Sequence, residues 1–269
     1  MSIDYRAYFG LKGEPFCAET PTKDLLRLPG MLGVKSRMEY ALQVGGAMVV
    51  TGDVGSGKST SLRWSCAQFH PSQTCIVSLV ASGGGLMEFL RSISLGLGLG
   101  SGGQSRTRIL ADIKSAIRDL ATTKKQKVLV VIDEANLLRS EVFAELHTLT
   151  QFDYDSKILA ALVLCGQEAL LEKLQYRSTQ PLTSRVVGRI HLTPLSRSDM
   201  EEYVHHHLSV AGTKKRLFED AALLAIFQGS GGLLRKANAL ARGGLLAAAQ
   251  EKKEVVVAEH IRLAQSEIL

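Results

Sequence analysis

The sequence predicts an α/β fold in which a five-stranded parallel sheet is followed by a small C-terminal helical domain. Short apolar runs alternate with amphipathic segments in the first part of the chain, and only helix-period segments follow Pro194. Such alternation is typical of a parallel sheet whose strands are connected by helices. The predicted strands are 47–51, 75–80, 128–132, 158–165 and 189–192.

The segments between these strands predict the crossover helices, and the segments after Pro194 predict a helical lid. Ser196 and Asp199 have the spacing of a capping box, with Asp in place of the usual Glu or Gln. The predicted helices are 59–69, 85–93, 106–122 and 141–150 in the first part, and 196–210, 218–228, 234–250 and 257–267 in the lid. We therefore expect three regions: an N-terminal segment (1–45), an α/β domain (46–194) and the lid (195–269).

A glycine-rich loop after the first strand predicts phosphate binding. It has the pattern G-x-x-x-x-G-K-[ST], in which backbone N–H groups surround the phosphates of a nucleotide and the next helix directs its N-terminus at the anion. Lys58 is placed to contact the β- and γ-phosphates, and Ser59 is placed to bind Mg²⁺. The candidate nucleotide-binding residues are Gly52, Asp53, Val54, Gly55, Ser56, Gly57, Lys58, Ser59 and Thr60.

A pair of carboxylates follows the third predicted strand, whose β-branched apolar run indicates burial on both faces. Open α/β sheets bind ligands at the carboxyl ends of their strands, so Asp133 and Glu134 are expected at the ligand. Asp133 is expected to hold Mg²⁺, through water, and to contribute to nucleotide binding. Glu134 is expected to orient or deprotonate the attacking water. ATP and Mg²⁺ are thus the predicted ligands.

Composition indicates a globular protein, with 45% hydrophobic and 22% charged residues among 269. The sequence has no run of 18 apolar residues and no secretory signal, so we expect a cytoplasmic protein without a membrane partner. Its four cysteines have no CxxC spacing, which favours reduced, structural thiols. A net charge of +6 is compatible with a polyanionic partner.

The motifs together resemble the AAA+ ATPases over nearly the whole chain. A phosphate loop, a strand that ends in DE, a polar group after the fourth strand, an arginine before the fifth and a helical lid carry this resemblance. Four further segments are similar to the ExeA-like branch of that family. They are Tyr8–Phe16 (YFGLKGEPF), Cys165–Leu174 (CGQEALLEKL), Ser184–Ser196 (SRVVGRIHLTPLS) and Gly231–Leu240 (GGLLRKANAL).

The resemblance implies roles for several further residues. Gln167 would sense the γ-phosphate, and Arg235 would contact phosphate in the same subunit. Arg185 would be an arginine finger that acts on the nucleotide of a neighbouring subunit, with Arg189 as a possible second finger. The N-terminal segment would lie near the adenine, where its aromatic residues either flank the base or anchor the segment on the α/β core. These aromatic residues are Tyr8, Phe9 and Phe16.

The resemblance also implies two functions. ExeA proteins continue into a membrane span and a periplasmic part, whereas ATPases of this size also resemble the transposition helpers of the MuB, IstB and TnsC type. Such helpers assemble as homo-oligomers, in rings or helical filaments, on double-stranded DNA and present it to a transposase. A regulator and target selector in transposition is therefore the first expectation. A cytoplasmic ExeA-like ATPase of secretion or envelope assembly, with a protein partner, is the alternative.

Basic residues near the glycine-rich stretch after the second strand are the candidates for contact with DNA. In assemblies of this class, loops in that region face the central channel, and arginines there would offset phosphate charge. The alternative is a solvated helix face beside a flexible loop. The candidate DNA-binding residues are Arg106, Arg108, Lys114 and Arg139.

Overall fold

The computed structural model describes residues 4–100 and 105–267, and it contains the predicted five strands. The strands are β1 (Gly46–Gly52), β2 (Thr74–Val80), β3 (Lys127–Asp133), β4 (Ala160–Gly166) and β5 (Val186–Leu192). They form one sheet in the order β2-β3-β4-β1-β5, and every pairing is parallel. The predicted α/β class is confirmed.

The helices agree closely with the predicted segments, and four are additional. In the first part of the chain they are α1 (Tyr5–Phe9), α2 (Pro29–Val44), α3 (Lys58–Cys66), α4 (Leu86–Gly96), α5 (Arg106–Thr123), α6 (Ser140–Leu146), α7 (Ala169–Leu174) and α8 (Gln180–Thr183). After β5 come α9 (Arg197–Val210), α10 (Asp220–Ser230), α11 (Leu234–Gln250) and α12 (Ala258–Glu267). The sequence did not predict α1, α2, α7 or α8.

Both faces of the sheet are buried, as a parallel sheet requires. Alternate residues of β1 belong to two different hydrophobic clusters: Ala47 and Val49 to one, Met48 and Val50 to the other. Side chains that alternate along a strand point to opposite faces, so the two clusters cover the two sides of the sheet. The central strands therefore carry apolar side chains on both faces over most of their length.

The pairing register brings the carboxyl ends of the central strands to one edge. β1 pairs with β4 from Gly46↔Ala161 to Thr51↔Gly166, and β3 pairs with β4 as far as Ile132↔Leu164. The carboxyl ends of β1, β3 and β4 therefore lie side by side. Since neighbouring strands are about 4.8 Å apart, the ends of β3 and β1 are separated by about 10 Å, with β4 between them.

Helix α2 forms although glycine, a weak helix former, occupies two positions of its first two turns. A Cβ at Gly30 would come within 2.8 Å of Leu192 Cδ2, and a Cβ at Gly33 within 2.6 Å of Ile190 Cδ1. The glycines thus permit close packing of α2 on β5. Tertiary packing outweighs local propensity here.

The chain divides into two compact units. One unit, residues 29–52 and 58–192, contains the sheet and α2 to α8. The other contains residues 1–28, 53–57 and 193–269, with α1 and α9 to α12. The expected segment 1–45 is thus divided between the units after residue 28. No helix in the described ranges is long and apolar enough to cross a membrane.

The helical unit has its own hydrophobic core, which includes residues of the N-terminal segment. Phe9 and Phe16 are buried among the side chains of the helical unit, whereas Tyr8 is exposed. Phe9 and Phe16 belong to neither cluster of the sheet, so the alternative in which they anchor the segment on the α/β core is wrong for these two residues. At the start of α9 the Asp199 N–H donates to Ser196 Oγ (3.2 Å), and the Ser196 hydroxyl donates to the Asp199 carboxylate. The capping function of Ser196 is confirmed.

A buried histidine lies at the centre of the aromatic contacts of the helical unit. The His207 ring is stacked on Phe16 with centroids 5.4 Å apart, and it lies 4.4 Å from the Tyr203 ring. Burial, with a smaller contribution from His206, lowers the pKa of His207 to about 4. His207 is therefore neutral in the folded protein at physiological pH.

This histidine should make folding sensitive to acid. Between pH 6.5 and about 4 the unfolded chain binds a proton at His207 that the folded chain does not bind. The free energy of unfolding should fall as the pH falls through that window, by up to about 3 kcal/mol. Urea unfolding of wild type and His207→Leu across the window measures the difference. The exposed His70→Leu is the control, and equal pH dependence in all three proteins would contradict the prediction.

Candidate nucleotide site

The two ends of the glycine-rich loop belong to the α/β unit, where a buried lysine joins them. Lys58 Nζ donates to the carbonyl oxygen of Gly52 at 2.9 Å, and only 6% of Lys58 is exposed. Helix α3 begins at Lys58, so its free N–H groups and the positive end of its dipole face the loop. Ser59 and Thr60 occupy its first turn. This end of α3 can bind an anion.

The middle of the loop belongs to the helical unit, where it packs on the start of α11. Gly55 and Gly57 have φ values of 88° and 92°, which side chains disfavour. A Cβ at Gly55 would come within 2.9 Å of Arg235 Cβ, and the Arg235 N–H donates to the Gly55 carbonyl oxygen at 3.2 Å. The Arg235 main chain therefore lies directly beside Gly55, and its contact with phosphate stays a prediction.

The residues present fit a nucleotide. Ser56 Oγ is buried and has no hydrogen-bond partner among the described residues, and its N–H bonds the Asp53 carbonyl oxygen at 3.2 Å. An orphaned buried hydroxyl is costly unless a ligand satisfies it. Lys58, Ser59 and Asp133 would hold the phosphates and Mg²⁺, and the ion would add positive charge against the transferring phosphoryl group. Val54 is exposed on the loop.

The two predicted acidic residues lie at the end of β3. Asp133 Oδ1 accepts a hydrogen bond from the Glu134 N–H at 2.9 Å, and Glu134 has left-handed backbone (φ 51°, ψ 34°). Burial, followed by the charge of Asp133, raises the pKa of the Cys165 thiol on the neighbouring strand. Cys165 therefore stays a neutral thiol beside Asp133.

The fourth strand brings a further predicted residue to the same edge. Gln167 directly follows β4, which lies between β1 and β3. Its N–H donates to Asn136 Oδ1 at 3.1 Å. Lys173 in α7 donates to the carbonyl oxygens of Asn136 and Leu138, the latter at 2.8 Å. Asn136 and Lys173 were not predicted, although Asn136 is a polar residue in the otherwise apolar sequence that follows Glu134.

The predicted arginine finger lies at the opposite edge of the sheet. Arg185 directly precedes β5, and its carbonyl oxygen accepts the Ala47 N–H at the start of β1 (2.8 Å). A strand of seven residues is about 20 Å long, so Arg185 cannot reach Gly52 and Lys58 of its own chain, which lie at the other end of β1. Its guanidinium pairs with Asp155 (2.7 Å) and donates to the Pro181 carbonyl oxygen (2.6 Å).

The turn that carries Asp155 has unusual backbone. Asp153, Tyr154 and Asp155 all have left-handed φ values, of 48°, 57° and 64°, and Tyr154 is fully exposed. A cavity of ≈ 420 Å³ adjoins this turn and is lined by Gly46, Asp155 and Arg185, among others.

Arg189, the second candidate finger, is exposed in the middle of β5, and its carbonyl oxygen accepts the Arg37 Nε–H at 2.9 Å.

The four predicted DNA-binding residues lie on exposed or half-buried parts of the α/β unit, and each has a contact there. Arg106 pairs with Glu145 (2.6 Å), and Arg108 pairs with Asp112 (3.2 Å). Lys114 Nζ lies 5.9 Å from the centroid of the Phe152 ring. Arg139 donates to the Gly83 carbonyl oxygen (2.7 Å). Part of the predicted loop, residues 101–104, lies outside the described residues.

Comparisons with known proteins support the class that the fold and the loop define. Residues 42–174 match the family described as AAA domain. General secretion pathway protein A of Aeromonas hydrophila is 32% identical over 267 residues, which cover 98% of this chain and 48% of that protein. The chain thus spans about half the length of this curated relative.

Solved structures with the same fold have low sequence identity. Cdc6p from Pyrobaculum aerophilum has a TM-score of 0.75 at 18% identity, over 99% of this chain and 72% of that chain. The ORC1 protein of Aeropyrum pernix, solved in complex with DNA, has a TM-score of 0.68 at 15% identity, over 93% and 68%. The fold, the phosphate loop and the match of residues 42–174 to the AAA domain family together support ATP hydrolase activity.

The loop lysine should be essential for nucleotide binding. Lys58→Ala removes the cation that is predicted to contact the phosphates, and we expect loss of tight ATP binding, by at least about 3 kcal/mol for a buried charged contact. Isothermal calorimetry measures the affinity. Lys35→Ala, which removes a partly exposed lysine paired with Glu39, is the control. An unchanged affinity in Lys58→Ala would refute the assignment of the loop.

Proposed function

We propose that this chain binds ATP and Mg²⁺ at the phosphate loop and hydrolyses ATP only in an assembly of several copies. Lys58, Ser59 and Asp133 hold the phosphates and the ion. Glu134 acts on the attacking water, Gln167 senses the γ-phosphate, and Arg235 contacts phosphate in the same chain. The observation that carries the proposal is the position of Arg185 at the amino edge of the sheet, opposite the loop.

Assembly follows from that position. An arginine that neutralises charge in the transition state contributes a rate factor of about 10³ to 10⁵. Arg185 can supply this charge only to the nucleotide of another copy, in a ring or a helical filament. Its pair with Asp155 must open for this purpose, which makes turnover dependent on contact between copies.

Mixing two inactive variants tests this action between copies. Arg185→Ala should bind ATP but lose turnover, because its sites receive no arginine. Glu134→Gln should bind ATP and accumulate as an assembly without turnover, because the base is missing. An equimolar mixture should regain part of the ATPase rate at interfaces that combine Glu134 of one copy with Arg185 of another. Normal turnover by Arg185→Ala alone, at every protein concentration, would refute the proposed finger.

For the partner, we propose double-stranded DNA, in a cytoplasmic helper that regulates a transposase and selects its target. The net charge of +6 supports a polyanionic partner. Arg106 and Arg108 lie in the first turn of α5, and both are more than half exposed. Their ion pairs are surface pairs, which contribute little to stability, so phosphates can replace the carboxylates at small cost.

DNA binding should require ATP, ignore base sequence and weaken steeply with salt. Replacing Arg106 and Arg108 by Ala should spare ATP binding and reduce the log–log salt slope by about 0.9 for each lost phosphate contact. Replacing Lys124 and Lys125, at the opposite end of α5, is the control. Fluorescence anisotropy on a random duplex, with and without a slowly hydrolysed ATP analogue, gives the measurement.

A protein partner in secretion or envelope assembly is the second candidate. The observation that favours it is the 32% identity to General secretion pathway protein A, which extends over 98% of this chain. Absence of ATP-dependent DNA binding at low salt would exclude the DNA helper and leave this candidate. The neighbouring reading frame, a transposase or a secretion component, distinguishes the two independently.

A further inference from the structure

The turn that follows Glu134 is attached to the next strand by hydrogen bonds from two sides. Asn136 Oδ1 accepts the N–H of Gln167, the first residue after β4, at 3.1 Å. Lys173 in α7 donates to the main-chain oxygens of Asn136 and Leu138. The same lysine lies 5.9 Å from the centroid of the Phe143 ring, which fixes its orientation. Asn136 is thus held at both its side chain and its main chain.

The turn needs such support because its first residue is in a sterically disfavoured conformation. Glu134 has φ 51°, which costs a residue with a Cβ about 1 kcal/mol or more. Its carbonyl oxygen accepts the Leu137 N–H at 2.8 Å, and the Ala135 carbonyl oxygen accepts the Leu138 N–H at 3.1 Å. Disfavoured backbone persists only where neighbouring groups enforce it. The bonds to Asn136 and Lys173 are neighbours of that kind.

Asn136 also packs closely against Gly166 at the end of β4. A Cβ at Gly166 would lie 2.4 Å from Asn136 Oδ1 and 3.1 Å from the Asn136 N. The end of β4 and the turn after β3 therefore touch without room for a side chain. Any displacement of Asn136 would be transmitted to Gln167, and any displacement of Gln167 to the turn that carries Glu134.

We infer that Asn136 is a positioning residue for hydrolysis, which fixes the base Glu134 relative to the sensor Gln167. The inference rests on the proposed roles of those two residues. Asn136 supplies one acceptor oxygen to the Gln167 N–H and thereby couples the ends of β3 and β4. The Lys173 side chain supports the same turn by donating to the main-chain oxygens of Asn136 and Leu138. Neither residue needs to touch the nucleotide.

Three substitutions of Asn136 distinguish the effect of its acceptor oxygen on hydrolysis from the effect of its size. Asn136→Ala removes the side chain, Asn136→Leu keeps its approximate shape without an acceptor, and Asn136→Asp keeps the acceptor. Small displacements of reacting groups reduce rates by up to about a hundredfold. We expect kcat for ATP hydrolysis to fall about tenfold or more in the Ala and Leu variants. The affinity for ATP and the thermal unfolding midpoint should stay near wild type, and Asn136→Asp should retain most of the activity.

Gln126→Ala is the matched control. Gln126 also bonds the main chain through its side-chain amide, but as a donor to the Pro71 carbonyl oxygen and at the opposite end of β3. Its loss should leave kcat unchanged. A second arm combines Asn136→Ala with Lys173→Met. The two losses should be less than additive, because both act on one turn.

The outcomes are distinguishable. Wild-type kcat in Asn136→Ala and Asn136→Leu would overturn the inference, and so would an Asn136→Asp variant as defective as Asn136→Ala. Equal losses of kcat and ATP affinity would overturn it as well, since they would indicate a structural role. Glu134→Gln is measured in parallel: wild-type turnover in that variant would refute the proposed function itself rather than the role of Asn136.

Discussion

The parallel register of the central strands is the constraint on which the rest of the structure depends. Because β1, β3 and β4 end at nearly the same level, Gly52, the acidic pair and Gln167 lie at one edge of the sheet. The same register sends Arg185 to the other edge, about 20 Å away. The parallel register thus separates the groups proposed to act on the chain's own nucleotide from the arginine proposed to act on the nucleotide of another copy.

Much of this arrangement could be predicted from the sequence because its signals are local. Apolar runs such as Val128–Ile132 indicate strands buried on two faces, and the helix-period segments after Pro194 match α9 to α12 within about two residues. The phosphate loop carries its own pattern of glycines, Lys58 and Ser59. Where strand, loop and helix follow one another directly, sequence order is enough to place the site.

Other features could not be predicted because they depend on residues distant in sequence. The glycines of α2 weaken a helix locally, and only the packing on Ile190 and Leu192 explains them. The bond between Asn136 and Gln167 joins two strand ends that are neighbours only in the folded sheet. Phe16 belongs to the helical unit because its ring stacks on His207, which no pattern near Phe16 indicates.

The turn at Asp153–Asp155 holds Arg185 in an ion pair whose formation requires disfavoured backbone. Three successive left-handed residues oppose the turn, while the ion pairs of Asp153 with Lys157 and of Asp155 with Arg185 favour it. Releasing Arg185 would therefore also let the backbone relax, which offsets part of the lost attraction. In the proposed assembly the Arg185 guanidinium would exchange the Asp155 carboxylate for a phosphate. Relaxation of the left-handed turn would reduce the free-energy cost of breaking the ion pair.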